Sequence, residues 1–390
     1  MVSLRQSLEM YDFYEFFAGG GMVRAGLGSG WRCLFANDFD HKKGLSYKKN
    51  WGGDELKTAD VATLTTKDLP GTCNLAWASF PCQDLSLAGA GAGLKGDRSG
   101  TFWPFWNLIR GLIEEGRAPK IIVLENVCGT LNSHEGKDFA TICAALQEGG
   151  YSVGAMVVDA ALFVPQSRPR LFIICPRRGL ELPSSITASE PSWPWQTTTL
   201  RSAHEKLPPQ VKQDWIWWML PEPPQRTMSF AELIDEAPTD VSWYTPEETR
   251  YVLSLMSDVN RQKLEKAKRL DRRIVGGLYR RTRSDEYGRK VQRAELRFDD
   301  VSGCLRTPAG GSSRQVIVVV EGQSVRSRLI SGRETARLMG LPDTYELPRN
   351  YNEAYHLTGD GVVVPVVRHL AAQIFEPILQ SLKVGQNIAA

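Results

Sequence analysis

Short apolar runs alternate with polar or amphipathic stretches from Tyr11 to Cys175, the pattern of strand-helix-strand units building a mostly parallel sheet. The runs predict strands at 12–17, 32–37, 74–80, 120–125, 153–158 and 170–175. Helical spacing of Phe102, Phe105, Trp106, Ile109 and Leu112 predicts a helix over Thr101–Glu115, its aromatics packed in a core, and a second helix is expected over Lys137–Gly149. After Pro176 the pattern breaks. Pro-, Ser- and Trp-rich sequence runs to about Pro246, with six of the eleven tryptophans between Trp193 and Trp243. Disordered segments are poor in aromatics, so this is a separate region of irregular architecture and not a linker. Further on, Gln315–Glu321 reads as a strand, Gly332–Met339 as a short helix stopped by Gly340 and Pro342, and Val362–Leu382 as a strand followed by a helix.

Composition changes this picture only at its edges. With 390 residues and 42% apolar content the chain suffices for two domains, or one large domain with an insertion. No apolar stretch reaches the ~18 residues of a membrane span, and the N-terminus lacks a basic-then-apolar leader pattern, so a soluble intracellular protein is expected. The seven cysteines include no Cys-x-x-Cys pair, which argues against zinc and against a disulfide framework. Net charge is only +3, but residues 261–297 hold 14 Lys/Arg against 5 Asp/Glu. Such clustering suits a phosphate backbone through counterion release, the bland alternative being a solvated helix face over Arg261–Arg273. The stretch Tyr279-Arg-Arg-Thr-Arg283 is harder to read as ordinary surface.

Two strand ends carry candidate chemistry. Pro81-Cys82-Gln83 follows the apolar run that ends at Phe80, and Glu125-Asn126-Val127 closes a second run, with Glu125 placed 43 positions after Cys82. A cysteine at a strand mouth is a candidate nucleophile, and a carboxylate at a neighbouring one can hold or donate a proton. Upstream, an apolar strand runs into Phe17-Ala18-Gly19-Gly20-Gly21 and then a helix, the entry to a nucleotide-type ligand site.

Taken in order, Phe17-Ala-Gly-Gly-Gly21, Ser79-Phe-Pro-Cys-Gln83, Leu124-Glu-Asn-Val127, Gln166-Ser-Arg-Pro-Arg170, Arg333-Glu334 through Arg337-Leu-Met-Gly-Leu-Pro342, and Gly359-Asp-Gly-Val362 resemble the blocks of the DNA (cytosine-5)-methyltransferases over nearly the whole chain. The resemblance implies an α/β fold: a Rossmann-like S-adenosylmethionine-dependent catalytic domain over 1–178 and 352–390, with an inserted, irregular and smaller DNA-recognition domain over 179–351. It implies Cys82 as the nucleophile that adds to cytosine C6, Glu125 as the group at N3 and the exocyclic amine, and Arg168 and Arg170 as paired arginines, one on the target base and one bracing the site. Around the cofactor it places Phe17, Gly19 and Gly21 at the methionine part, Asp38 on the ribose, Phe39 on the adenine face and Asp60 with Val61 at its edge. Ser79, Pro81, Phe102, Asp360 and Val362 complete the pocket. Asp360 stands where the family usually has asparagine. Toward DNA it implies Gln83, Ser86, Arg283, Thr307 and Arg314, with a movable loop over Gln83–Gly100 and a recognition loop over Arg306–Arg314.

The resemblance further implies a stand-alone bacterial modification enzyme, monomeric and cytoplasmic, acting on double-stranded DNA beside a cognate restriction endonuclease, with no metal. Two alternatives keep the fold. An RNA cytosine-5 methyltransferase is expected to have a smaller or different recognition region than the about 150 residues here, and a catalytically silent DNA-binding relative is expected to have lost Cys82 or Glu125. A nicotinamide oxidoreductase leaves those two residues unexplained and lacks a clean G-x-G-x-x-G. An exocyclic-amine methyltransferase would need a Pro-Pro-aromatic block, and a P-loop enzyme a Gly-Lys-Ser/Thr; the sequence has neither.

Overall fold

All six apolar runs predicted as strands between 12 and 175 are strands in the computed structural model, which describes residues 10–81, 99–270, 272–284, 287–306 and 314–389, with side chains described to 382. They are β1 (Tyr11–Phe16), β2 (Trp31–Asp38), β4 (Leu75–Ala78), β5 (Ile121–Val127), β6 (Val153–Asp159) and β7 (Pro169–Pro176). Three shorter strands escaped prediction: β3 (Leu56–Thr58), β8 (Thr187–Ala188) and β9 (Trp215–Trp218). At two to four residues they are too short to show a period of their own.

The strands form one sheet in the order β3-β2-β1-β4-β5-β7-β6-β9-β8. Pairs β1–β2, β2–β3, β1–β4 and β4–β5 are parallel, while β7 runs antiparallel to β5. Strand order reverses between β1 and β4. In doubly wound sheets ligands bind outside the carboxyl ends of the strands at such a switch point, so the residues just after β1, β2, β4 and β5 share the edge that matters. Strands β4 and β5 are buried almost throughout, as strands covered on both faces must be. The helix Phe102–Glu114 buries Phe102, Phe105, Trp106, Ile109 and Leu112 in this core, within one residue of its predicted span at each end.

The tail departs from expectation. Val362–Leu382 contains no strand; it forms the helix Val364–Leu370, a π turn over Ala371–Phe375 and the helix Glu376–Ala389. Tertiary packing overrides the β-branched composition here. Val367 lies where a Cβ on Gly26 would come within 2.4 Å, so the helix Met22–Leu27 meets the tail helix at backbone distance. The helical run Tyr351–Leu382 spans 32 residues and is long and apolar enough to cross a membrane, contrary to the expectation that no segment is. More than half of its most apolar window is buried, the mark of a core helix.

The chain divides into two compact units at points other than those expected. One comprises residues up to Val158, Pro169–Pro223 and Val364 onward; the other comprises Asp159–Arg168 and Pro224–Val363. Residues 179–223 go with the first because β9 pairs with β6, adding two strands to the large sheet. Residues 352–363 go with the second because the helix Tyr351–Asp360 packs on the helix Gly332–Leu338, where Thr358 donates to the Thr335 hydroxyl at 2.9 Å. The smaller unit holds a four-stranded antiparallel sheet of β10 (Ile274–Ser284), β11 (Lys290–Arg297), β12 (Val316–Glu321) and β13 (Ser324–Leu329), ordered β11-β10-β12-β13. The sequence pattern showed only β12 of these. The stretch for which a solvated helix face was the bland alternative forms the helix Asp258–Lys268 in its first part, with Lys268 paired to Glu265 at 2.7 Å.

Candidate active site

The glycine turn after β1 is set by backbone geometry. Phe17, Gly19 and Gly21 have φ of 59°, 55° and 76°, a region in which glycine is unstrained and other residues are not. The two glycines differ in purpose. A Cβ on Gly21 would meet the Trp51 indole at 2.4 Å, so packing requires this glycine; a Cβ on Gly19 would meet nothing within 4 Å, which leaves open space for a ligand. Asp38, at the end of β2 and buried, fastens the turn by accepting the Gly19 N–H at 2.8 Å on one oxygen and the Asp40 N–H at 2.8 Å on the other. Burial raises its pKa, opposed by Lys43 and by those two N–H groups. A carboxylate has about four acceptor sites, so roughly two remain for ligand hydroxyls. Phe39 beside it is 72% exposed, an open aromatic face.

Asp60 caps the turn Val61–Thr63 through the Ala62 N–H at 2.9 Å, and Val61 is buried. The Ser79 hydroxyl accepts the Trp77 indole N–H at 2.9 Å, and Pro81 is partly buried. Phe102 is fully buried against Phe80 and Trp106, so its ring forms a wall behind the turn. This chain therefore has an open turn, an exposed ring and a buried carboxylate with spare acceptors, a set that fits a cationic nucleoside cofactor.

Sequence reading passed over Glu15, which lies at the base of the turn and is 1% exposed. One oxygen accepts the Val23 N–H at 3.2 Å and the other has no hydrogen-bond partner. Burial pushes this carboxyl from its ordinary 4.5 up to about 8. The folded chain then holds a proton that the unfolded chain releases between those values, so stability is complete below about pH 4.5 and declines as pH rises toward 8. The decline is up to about 1.4 kcal/mol per pH unit. Thermal midpoints measured from pH 5 to 8 should fall less for Glu15→Gln than for the wild type; parallel curves would mean that Glu15 is already ionised in the fold.

At the end of β5, Glu125 is buried and its Oε1 lies 3.2 Å from the Arg170 guanidinium. Antiparallel pairing produces this contact: Val127 stands opposite Arg170 and Glu125 opposite Phe172, so the arginine reaches diagonally across one strand. Asn126, also buried, donates from Nδ2 to the Phe80 carbonyl at 3.2 Å and accepts the Val127 N–H at 2.9 Å. It thereby ties the segment entering Pro81 to the strand end that carries Glu125, a role its place in the Leu124–Val127 block did not disclose. Cys82, Gln83, Ser86 and Thr307 lie outside the described residues.

Arg168 bonds backbone carbonyls of its own unit. Its Nη1 donates to the Leu305 carbonyl at 3.0 Å, and its Nη2 to the carbonyls of Gly359 at 2.8 Å and Gly361 at 2.7 Å. Those carbonyls flank Asp360, the exposed last residue of its helix, and precede buried Val362. A cation at a helix C-terminus is favourable, whereas the Asp360 carboxylate there is not. Gln166, fully buried, holds the same loop by accepting the Leu305 N–H at 3.1 Å and donating to the Leu338 carbonyl at 2.8 Å. The structure thus separates the two arginines of the Gln166–Arg170 block: Arg170 meets the acid, and Arg168 holds backbone in the smaller unit. Of the DNA-facing residues, Arg283 pairs with Glu295, and Arg314 bonds Asn352 and lies 5.5 Å over the Tyr351 ring. No group of three or more metal-ligating side chains occurs among the described residues.

The fold is a Rossmann-like α/β sheet, and solved methyltransferase structures share it. S. pombe Dnmt2 methyltransferase matches with a TM-score of 0.57 at 17% identity, covering 95% of this chain and 99% of that one; Entamoeba histolytica EhMeth matches with a TM-score of 0.61 at 14% identity, covering 96% and 99%. The chain belongs to the C-5 cytosine-specific DNA methylase family, whose model matches residues 11–376. It is similar to the type II methyltransferases M.HpaII of Haemophilus parainfluenzae, at 24% identity over 95% of this chain and 90% of the relative, and M.NlaX of Neisseria lactamica, at 25% identity over 94% and 96%. The protein is a DNA (cytosine-5)-methyltransferase. Family and fold imply S-adenosylmethionine as its cofactor.

Proposed function

We propose that the enzyme modifies one short motif in duplex DNA by flipping the target cytosine out of the stack and adding Cys82 to its C6. A base inside a duplex is out of reach, and extruding it costs roughly a few kcal/mol. The Cys82 thiolate forms a bond to C6, and the C5–C6 π pair moves through the ring toward N3. Glu125 supplies a proton or hydrogen bond at N3 and accepts from the exocyclic amine, which selects cytosine over thymine. Bound S-adenosylmethionine supplies the methyl group that the now nucleophilic C5 receives. Loss of the C5 proton to a base then restores the ring as the S–C6 bond breaks and the thiolate leaves. The observation that carries this reading is the Glu125–Arg170 pair at 3.2 Å: a guanidinium fixes the acid at the end of β5.

On this reading Phe17, Gly19, Gly21, Asp38, Phe39, Asp60 and Val61 hold the cofactor. The enzyme works as a monomer in a bacterial cytoplasm, with an endonuclease that shares its site. The test is incubation with labelled S-adenosylmethionine and mixed-sequence duplex DNA, or RNA, followed by bisulfite mapping. Protected cytosines confined to one short DNA motif are expected. Label in RNA alone, or no incorporation, overturns the proposal.

A further inference from the structure

In the smaller unit, β10 and β11 form a two-stranded ribbon that runs past its own core. Leu278, Ala294 and Leu296 are buried, whereas 281–284 and 290 are exposed on the two arms. Residues 279–297 carry seven Lys/Arg and three Asp/Glu. Register sorts these charges by face. Arg281 stands directly opposite Arg293, and Tyr279 opposite Glu295, so Arg281, Arg283, Arg293 and Arg297 share one face of the ribbon, with Glu295 the one carboxylate among the described residues of that face. Glu295 is divided between Arg281, at 3.2 Å, and Arg283. Arg297 pairs with Asp299 at 2.6 Å. Arg293 makes no hydrogen bond or ion pair with any described residue, and neither does Arg280 on the opposite face, whose buried Nε is unsatisfied.

Like charges directly across a ladder destabilise it. Blunting of an exposed sheet edge would account for one or two charges on β11, which is an edge strand. It does not account for arginines on β10, which is interior to the sheet, nor for Arg293 left without an anion directly across from Arg281. A regular polyanion discharges this arrangement. We infer that the Arg281/Arg293 face of the β10–β11 ribbon is a phosphate-contact surface for duplex DNA, one that supplies affinity and not base recognition. The inference rests on the DNA reading above and adds the residues that anchor the backbone.

The test is equilibrium binding of the full-length protein to fluorescent duplexes, matched and random in sequence, over a range of salt. Each phosphate contact contributes about −0.9 to the slope of log K against log salt. Arg281→Gln/Arg293→Gln should therefore make the slope shallower by about 1.8, equally for both duplexes, while Arg281→Lys/Arg293→Lys keeps it. Arg293→Gln alone, which breaks no ion pair, should remove about half of that change and serves if the double variant does not fold. An unchanged slope, or a loss confined to the matched duplex, overturns the inference. A wild type that methylates duplex DNA but shows unchanged slopes in the variants sinks only this surface; a wild type that methylates no duplex DNA sinks the function on which it rests.

Discussion

Cys82→Ala is expected to abolish methyl transfer, by more than about 10⁴-fold in kcat. Carbon 5 of cytosine is not nucleophilic while the ring is aromatic, and only a covalent electron donor at C6 changes that; alanine has none to offer. The effect should exceed that of Glu125→Gln, which leaves a neutral hydrogen-bonding group beside Arg170 and should cost roughly 10² to 10⁴-fold, the range for one acid-base group. Duplexes with 5-fluorocytosine at the mapped target distinguish the two roles. Fluorine cannot leave as a proton, so the wild type should stay joined to this DNA under denaturing electrophoresis. The alanine variant should form no adduct, and the glutamine variant should form one slowly. An alanine variant within about tenfold of wild-type turnover would place the nucleophile elsewhere.

Glu334→Ala should be the most destabilising single change outside the catalytic centre, costing about 3–5 kcal/mol. Arg328 and Glu334 are both fully buried and joined by two charge-assisted bonds, of 2.6 and 2.8 Å. Glu334 also accepts the N–H groups of Ser331 and Asp235, each at 2.8 Å, so it caps its own helix and holds a distant loop of the same unit. Alanine leaves the Arg328 charge without its carboxylate partner and two N–H donors without acceptors. Arg328→Met/Glu334→Leu should cost less than the sum of the two single changes, because it leaves no buried charge, although the two N–H groups still lose their acceptor. Denaturant titration of all four proteins gives the coupling; a single-mutant loss below about 1 kcal/mol would show that water relieves the charge.

How far the chain could be read in advance depended on length scale. Strands β1, β2 and β4 to β7 were legible because each is a dense apolar run, and the helix Phe102–Glu114 because five apolar residues keep helical spacing. The tail was misread as strand plus helix because valines at 362, 363, 364, 366 and 367 look β-prone until Gly26 is known to lie against Val367. Three of the four strands of the small sheet were hidden because their apolar residues are few and broken up by charged and polar ones, so no apolar run marks them. At the site, the ordered blocks named the strand ends, but they did not separate Arg168 from Arg170, nor show that Asn126 links Phe80 to the end of β5.

By itself the sequence determined the class: a cysteine and a glutamate after two apolar runs, a glycine turn and an acidic strand end are local patterns, and local patterns survive in one dimension. Tertiary structure alone decided which arginine meets Glu125, which glycine is kept for packing and which for open space, that Glu15 is buried with an unpaired oxygen, and that four arginines share one face of a ribbon. Each of these depends on the register of strands far apart in the chain or on exclusion from water, and neither quantity is carried by neighbouring residues.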